Sequence, residues 1–147
     1  MTKRFLMIDD DTDDRQLFCE ALATVDPIII CHQVSDGLEA FKYLRSKEAE
    51  PDIIFLDINM PLMDGWEFLI ALKGEADHKH IPVIVYTTSS NKKDRLIADE
   101  LGALCFVTKP HAFKRLKVML DLVVGHVNGK TLTQLCKDLQ ALSNVPN

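Results

Sequence analysis

Five aspartates occupy the six positions from Asp9 to Asp14, directly behind the apolar run from Phe5 to Ile8. Two carboxylates 4 Å apart repel by about 4 kcal/mol at an effective dielectric of 20, so such a cluster needs a countercharge or a local structural use. Three other apolar runs also end on chemically useful groups: IIFL runs into Asp57, VIVY into Thr87 and Thr88, and CFV into Thr108-Lys109-Pro110. If those ends meet, Asp9, Asp10 and Asp57 line one crevice, and three carboxylates there cannot all stay ionised unless a cation joins them or some pKa values rise. A hard, oxygen-rich site with one or two direct carboxylates suits Mg²⁺, which keeps several waters and accepts phosphate oxygens. Lys109 offers a second positive charge and Thr87 a hydroxyl donor. A carboxylate ringed by a metal, an ammonium and a hydroxyl is equipped to receive a phosphoryl group.

That chemistry depends on elements which bring the ends together. Short apolar runs at 4–8, 28–34, 53–56, 82–86 and 104–107 read as strands, and amphipathic stretches at 13–25, 37–47, 64–73, 92–101 and 112–127 read as helices. In the first helix, Leu17, Ala21, Leu22 and Val25 share the stripe expected to face the core. Strands 1, 3 and 4 are nearly all apolar, as in a parallel sheet covered on both faces. The alternation predicts an α/β fold with a doubly wound five-stranded parallel sheet and right-handed crossovers. In such sheets ligands gather beyond the carboxyl ends of the strands, where the candidate residues lie.

Acids that the site does not need have simpler uses. Asp11, Asp13 and Asp14 fall in the first turn of the first helix, where negative charge complements the macrodipole, and Asp11 or Thr12 can cap it. In MPLMDG, Pro61 and Gly65 shape the loop after Asp57, and Asp64 caps the third helix. The five histidines share no metal-like spacing and read as structural or surface residues. Cys19, Cys31, Cys105 and Cys136 form no CxxC pair and read as reduced core residues. The basic stretch KPHAFKRLK, with four basic residues in nine, reads equally as attracting an acidic partner or as the wet face of a helix.

With 147 residues and a net charge of −5, the chain is long enough for one domain with a real core, and its acidity argues against a nucleic-acid surface. No apolar run approaches the roughly 20 residues of a membrane span, and the apolar part of MTKRFLMID is too short for a secretory signal. The expected location is cytoplasmic. Past residue 127, Asn128-Gly129 reads as a helix stop and Thr131 with Gln134 as a capping box. Leu132, Leu135, Cys136, Leu139 and Leu142 then follow at the spacing of a short amphipathic sixth helix. A tail of this size is far shorter than a DNA-binding or enzymatic output domain.

The stretches MIDDD, FLDINMPLMDG, PVIVYTTSS and GALCFVTKP, in this order, resemble the receiver domain of two-component response regulators, similar to the bacterial chemotaxis regulator. The resemblance spans about residues 3 to 127. It implies a flavodoxin-like sheet of order 2-1-3-4-5, a receiver domain over 1–127 and an appended tail over 128–147. By position it makes Asp57 the phosphoacceptor and Asp10 a direct ligand of Mg²⁺, with Asp9 assisting through water. Asn59 would lend its backbone carbonyl to the metal. Thr87 and Lys109 would each hold a phosphoryl oxygen, and Phe106, together with Thr87, would be the switch. The Lys109–Pro110 bond is expected to be cis, while the side chains of Asn59 and Ser89 would tune the lifetime of the phosphate. The implied donor is a sensor histidine kinase or a histidine phosphotransfer protein, and the only enzymatic turnover would be self-phosphorylation and autodephosphorylation. Output would go through protein contact with a downstream target, or through a homodimer formed by the fourth helix, fifth strand and fifth helix, with no nucleic acid or membrane involved.

Two other readings compete. A phosphohydrolase of the haloacid dehalogenase type also uses a strand-end aspartate, but it carries DxD after the first strand and a cap insertion. A flavodoxin-like FMN carrier needs a hydroxyl- and glycine-rich loop after strand 1, where this chain has aspartates.

Overall fold

The computed structural model describes residues 2–46 and 48–143. Five strands, β1 (Arg4–Ile8), β2 (Ile30–Val34), β3 (Ile53–Leu56), β4 (Val83–Thr87) and β5 (Cys105–Thr108), pair in parallel in the order β2-β1-β3-β4-β5. Between and after them come α1 (Thr12–Val25), α2 (Gly37–Arg45), α3 (Gly65–Lys73), α4 (Lys92–Glu100), α5 (Phe113–Gly129) and α6 (Leu132–Ser143). The doubly wound α/β fold expected from the sequence is therefore the observed one, in the flavodoxin-like order.

Strand periodicity explains the two cores. Side chains alternate across a strand, so Phe5, Met7, Phe55 and Tyr86 enter one apolar cluster with Phe18, Leu22 and Leu120 from α1 and α5. Leu6, Ile8, Ile54 and Leu56 enter the other, with Phe41, Phe68 and Leu72 from α2 and α3. The Phe18 ring lies 4.7 Å from that of Phe55 and 5.7 Å from that of Tyr86, which pins α1 against β3 and β4. Helix starts follow the capping logic: Asp11, Asp36, Asp64 and Asn91 each accept an N–H three residues on. Asp64 and Glu67 form a full capping box.

Several expectations need correction. Leu17 is 45% exposed and Phe18 takes the core position, because the stripe of α1 runs through Phe18, Ala21 and Leu22. β2 begins at Ile30, after a turn that leaves Ile28 exposed. Asn128-Gly129 does not stop α5: the helix runs through Gly129 and ends where Lys130 adopts a left-handed backbone, with φ of 56°. In place of the expected capping box, the Gln134 N–H donates to the Thr131 backbone carbonyl at 3.0 Å, and the Thr131 hydroxyl is engaged by His126 Nδ1 at 2.7 Å. The cysteines are paired, Cys19 with Cys31 and Cys105 with Cys136, rather than reduced. Packing of α1 beside β2 and of α6 beside β5 brings the two pairs of Cα atoms to 5.8 and 5.4 Å, within disulfide reach, and sequence spacing carries no sign of that. No described peptide bond is cis, so Lys109–Pro110 is trans. The Lys109 N–H donates to Thr87 O at 2.7 Å, so the strand-end pairing holds Lys109 in place while its proline bond keeps the commoner isomer. Position 47, the expected end of the second helix, and positions 144–147 of the tail lie outside the described residues.

Candidate functional site

Parallel pairing carries the carboxyl ends of β1 and β3 to the same rim. Ile8 pairs with Leu56, and the Asp57 N–H donates to Ile8 O at 2.9 Å, so Asp9 and Asp57 emerge side by side. One carboxylate oxygen from each of Asp9, Asp10 and Asp57 lies within 4.8 Å of the others. Asp9 and Asp57 are buried and Asp10 is exposed, so the cluster opens to solvent on the Asp10 side. Thr87 at the end of β4 is also fully buried. The structure thus gathers the carboxylates that the sequence singled out.

Lys109 is the fixed countercharge. Its ammonium lies 2.7 Å from Asp9 Oδ2, 2.7 Å from Asp14 Oδ2 and 3.7 Å from Asp57 Oδ2. Burial alone would pull this ammonium down, but its hydrogen bonds to Asp14 and Asp9 and the charge of Asp57 outweigh that and hold its pKa above the ordinary lysine range. Asp14, read from sequence as a helix-dipole residue, thus has a second partner. Nothing in the local sequence marks it, because the contact crosses 95 residues of chain. Asp9 is further held by the Asp11 N–H, which donates to its Oδ1 at 2.9 Å, while Arg15 Nη1 donates to its backbone carbonyl at 2.6 Å.

Asp57 is held more loosely. Its carboxylate accepts a long 3.5 Å bond from the Asn59 N–H and lies at the edge of reach of Lys109. Burial first, and then the charge of Asp9, push its pKa from 3.8 up to about 6, against the opposing pull of Lys109 and the Asn59 N–H. A buried carboxylate with few donors and raised basicity has lone pairs to give to an electrophile. Oxygen donors alone, clustered within one ion's reach around an acid that is costly to ionise, fit a hard divalent cation.

The loop after Asp57 is set by close backbone approach. A Cβ on Gly65 would stand 2.4 Å from the Asp57 carbonyl oxygen and 2.5 Å from Ile58 Cα, and the Gly65 N–H donates to Ile58 O at 3.1 Å. Only glycine lets α3 start this near the strand end. The left-handed backbone of this loop falls on Leu62, with φ of 67°. Across the rim, the Thr87 hydroxyl accepts the Ser89 N–H at 3.5 Å, and Ser89 Oγ donates to Asp94 Oδ2 at 2.6 Å, tying the β4 end to α4. Phe106 is separate from the acidic cluster: half-buried on β5, it lies under the guanidinium of Arg95, 4.9 Å from its ring centroid.

The sequence profile described as the response regulator receiver domain matches residues 5–121. Response regulator Rcp1 of Synechocystis is 36% identical over 126 residues, spanning 81% of this chain and 84% of that protein. Among solved structures, the phosphorylated cyanobacterial phytochrome response regulator RcpA superposes with a TM-score of 0.81 at 31% identity, covering 88% of this chain and 96% of that one. The Mn²⁺-bound form of Rcp1 gives 0.72 at 35% identity, covering 81% and 89%. Of several other curated relatives, this chain spans half the length or less.

Proposed function

Since the chain belongs to the response regulator receiver domain family of two-component signalling, we propose that it takes a phosphoryl group from a phosphohistidine onto Asp57. The donor is a sensor histidine kinase or a histidine phosphotransfer protein. One observation carries this reading: a buried carboxylate of raised basicity sits 3.7 Å from the Lys109 ammonium, beside two further acids. An Asp57 oxygen forms the new P–O bond as the P–N bond to histidine breaks, and the electron pair leaves with the imidazole nitrogen. Lys109 and the Thr87 hydroxyl each bind a phosphoryl oxygen, a step that draws Lys109 from Asp14 towards Asp57. Asp10, Asp57 and the Asn59 carbonyl would hold Mg²⁺, with Asp9 assisting through water. When bound, the metal neutralises charge on the transferring phosphoryl group. Rcp1, solved in a form bound to Mn²⁺, supports a divalent ion in a site of this kind.

Residues 1–127 act as the receiver and 128–147 as an appended tail. Phosphorylation draws Thr87 towards the phosphoryl group, moves α4 through the Ser89–Asp94 bond, and shifts Phe106 between two packings. The face of α4, β5 and α5 then docks a downstream protein or a second copy of the chain. The acidic net charge supports protein contact rather than nucleic acid. No helix among the described residues is long and apolar enough to cross a membrane, and a cytoplasmic location is consistent with a kinase donor. No substrate turnover beyond self-phosphorylation and autodephosphorylation belongs to this reading.

Incubation with acetyl phosphate and Mg²⁺ should add one hydroxylamine-labile phosphoryl group to the Asp57 peptide. The adduct should vanish in Asp57→Asn and form more slowly in Lys109→Ala. Phosphate retained elsewhere in Asp57→Asn would overturn the assignment.

A further inference from the structure

The cleft of ≈ 270 Å³ where α4, β5 and α6 meet lies away from the acidic cluster, and both sulfur-bearing residues of one disulfide line it. Cys105 on β5 is bonded there to Cys136 on α6, and Phe106 and Arg95 share the wall. β5 is an edge strand of the sheet, and α6 packs on it and on α5. Of the twelve residues of α6, only Leu135 and Leu139 are buried. Leu132, Cys136 and Leu142 pack half-buried on the same core, and beyond these apolar contacts α6 is tied by the disulfide, by the contact of Cys136 Sγ with the Leu104 carbonyl, and by the bond between His126 Nε2 and Asp138 Oδ2 at 2.6 Å. A twelve-residue helix with two fully buried leucines and three half-buried apolar residues is marginal on its own, so the covalent tie adds to its docking.

We infer that Cys105 and Cys136 are a reversible redox site, a clasp that holds α6 on the sheet edge until a dithiol reductant opens it. In that exchange the Cys105–Cys136 bond breaks and a disulfide forms within the reductant. Two electrons and two protons pass from the reductant to the two cysteine sulfurs, and oxidation by a disulfide reverses the step. In a compartment that keeps thiols reduced, a disulfide is more often transient and redox-sensing than structural. Cys105 is buried and Cys136 half-buried in the cleft wall, so a reductant meets the bond from the Cys136 side. The other disulfide lacks this leverage: Cys19 and Cys31 join α1 to β2, elements linked by only residues 26–29 and both already packed in the main body. Opening the clasp frees residues 130–143 and uncovers the β5 edge beside Phe106. This site is independent of the phosphoacceptor reading, and its test uses no phosphate, so either can fail without the other.

The full chain is equilibrated with reduced or oxidised dithiothreitol, its free thiols are alkylated, and linked peptides are mapped by mass spectrometry. Amide hydrogen exchange is followed in parallel. The oxidised chain should carry the Cys105–Cys136 linkage, lose it on reduction and regain it on reoxidation. Exchange over residues 130–143 should be at least tenfold faster in the reduced chain, with residues 53–57 unchanged. Cys136→Ser should match the reduced chain under both conditions, and Cys19→Ser should keep the full response. Alkylation of both thiols under every condition, a linkage to other cysteines, or equal exchange of α6 in the two states would overturn the inference. Should Cys136→Ser fold poorly, the two redox states of the unaltered chain decide the matter alone.

Discussion

The neighbours of Asp57 favour opposite protonation states. Burial and then Asp9 favour the neutral acid, while Lys109 and the Asn59 N–H favour the carboxylate, and burial wins. A pKa raised from 3.8 to about 6 means that the folded chain binds this proton more tightly than the unfolded one. Its stabilising contribution is thus complete below pH 4 and is lost as pH rises through about 6, amounting to about 3 kcal/mol. Asp57→Asn cannot titrate, so it should gain on the unaltered chain by about 2–3 kcal/mol between pH 4 and pH 7.5. Urea unfolding in the presence of a chelator, repeated across that range, measures the difference. A pH-independent difference would mean that folding leaves the pKa of Asp57 unchanged.

At the level of elements, the site depends on how closely α3 approaches the end of β3. Gly65 makes that approach, with no room for a Cβ against the Asp57 carbonyl and the Ile58 Cα. Both obstacles are backbone atoms, so they cannot swing aside as a side chain would. Gly65→Ala should therefore destabilise the chain by about 1–3 kcal/mol, as overpacking does, and displace the loop that carries Asn59. Chemical denaturation gives the first effect. A slower phosphorylation rate with acetyl phosphate gives the second, whereas a rate equal to that of the unaltered chain would show that the loop tolerates the shift. α1 contributes differently: Phe18 anchors it against Phe55 and Tyr86, and this orientation turns Asp14 towards Lys109.

Across the whole molecule, a divalent ion at the acidic cluster should act as a ligand of the folded state alone. Mg²⁺ at ten times its dissociation constant should then stabilise the chain by about 1.4 kcal/mol, and a chelator should reverse this. Thermal unfolding with and without Mg²⁺ reads the effect, which should shrink in Asp57→Asn; an undiminished response there would place the ion elsewhere. The amino-acid order by itself determined the strand and helix sequence, the Asp64 cap, and the identities of Asp9, Asp10, Asp57, Thr87 and Lys109 as strand-end groups. Each of these follows from local periodicity or from a residue's place beside an apolar run. Tertiary structure decided what no local pattern carries: the Asp14–Lys109 bond, the pairing of Cys19 with Cys31 and of Cys105 with Cys136, and the exchange of Leu17 for Phe18 in the core. It also decided that Lys130, not Asn128-Gly129, ends α5, because His126 bonds Thr131 and α6 packs back on the body. Those outcomes depend on distances between segments far apart in the chain, and such distances exist only once the sheet has formed and the helices have packed against it.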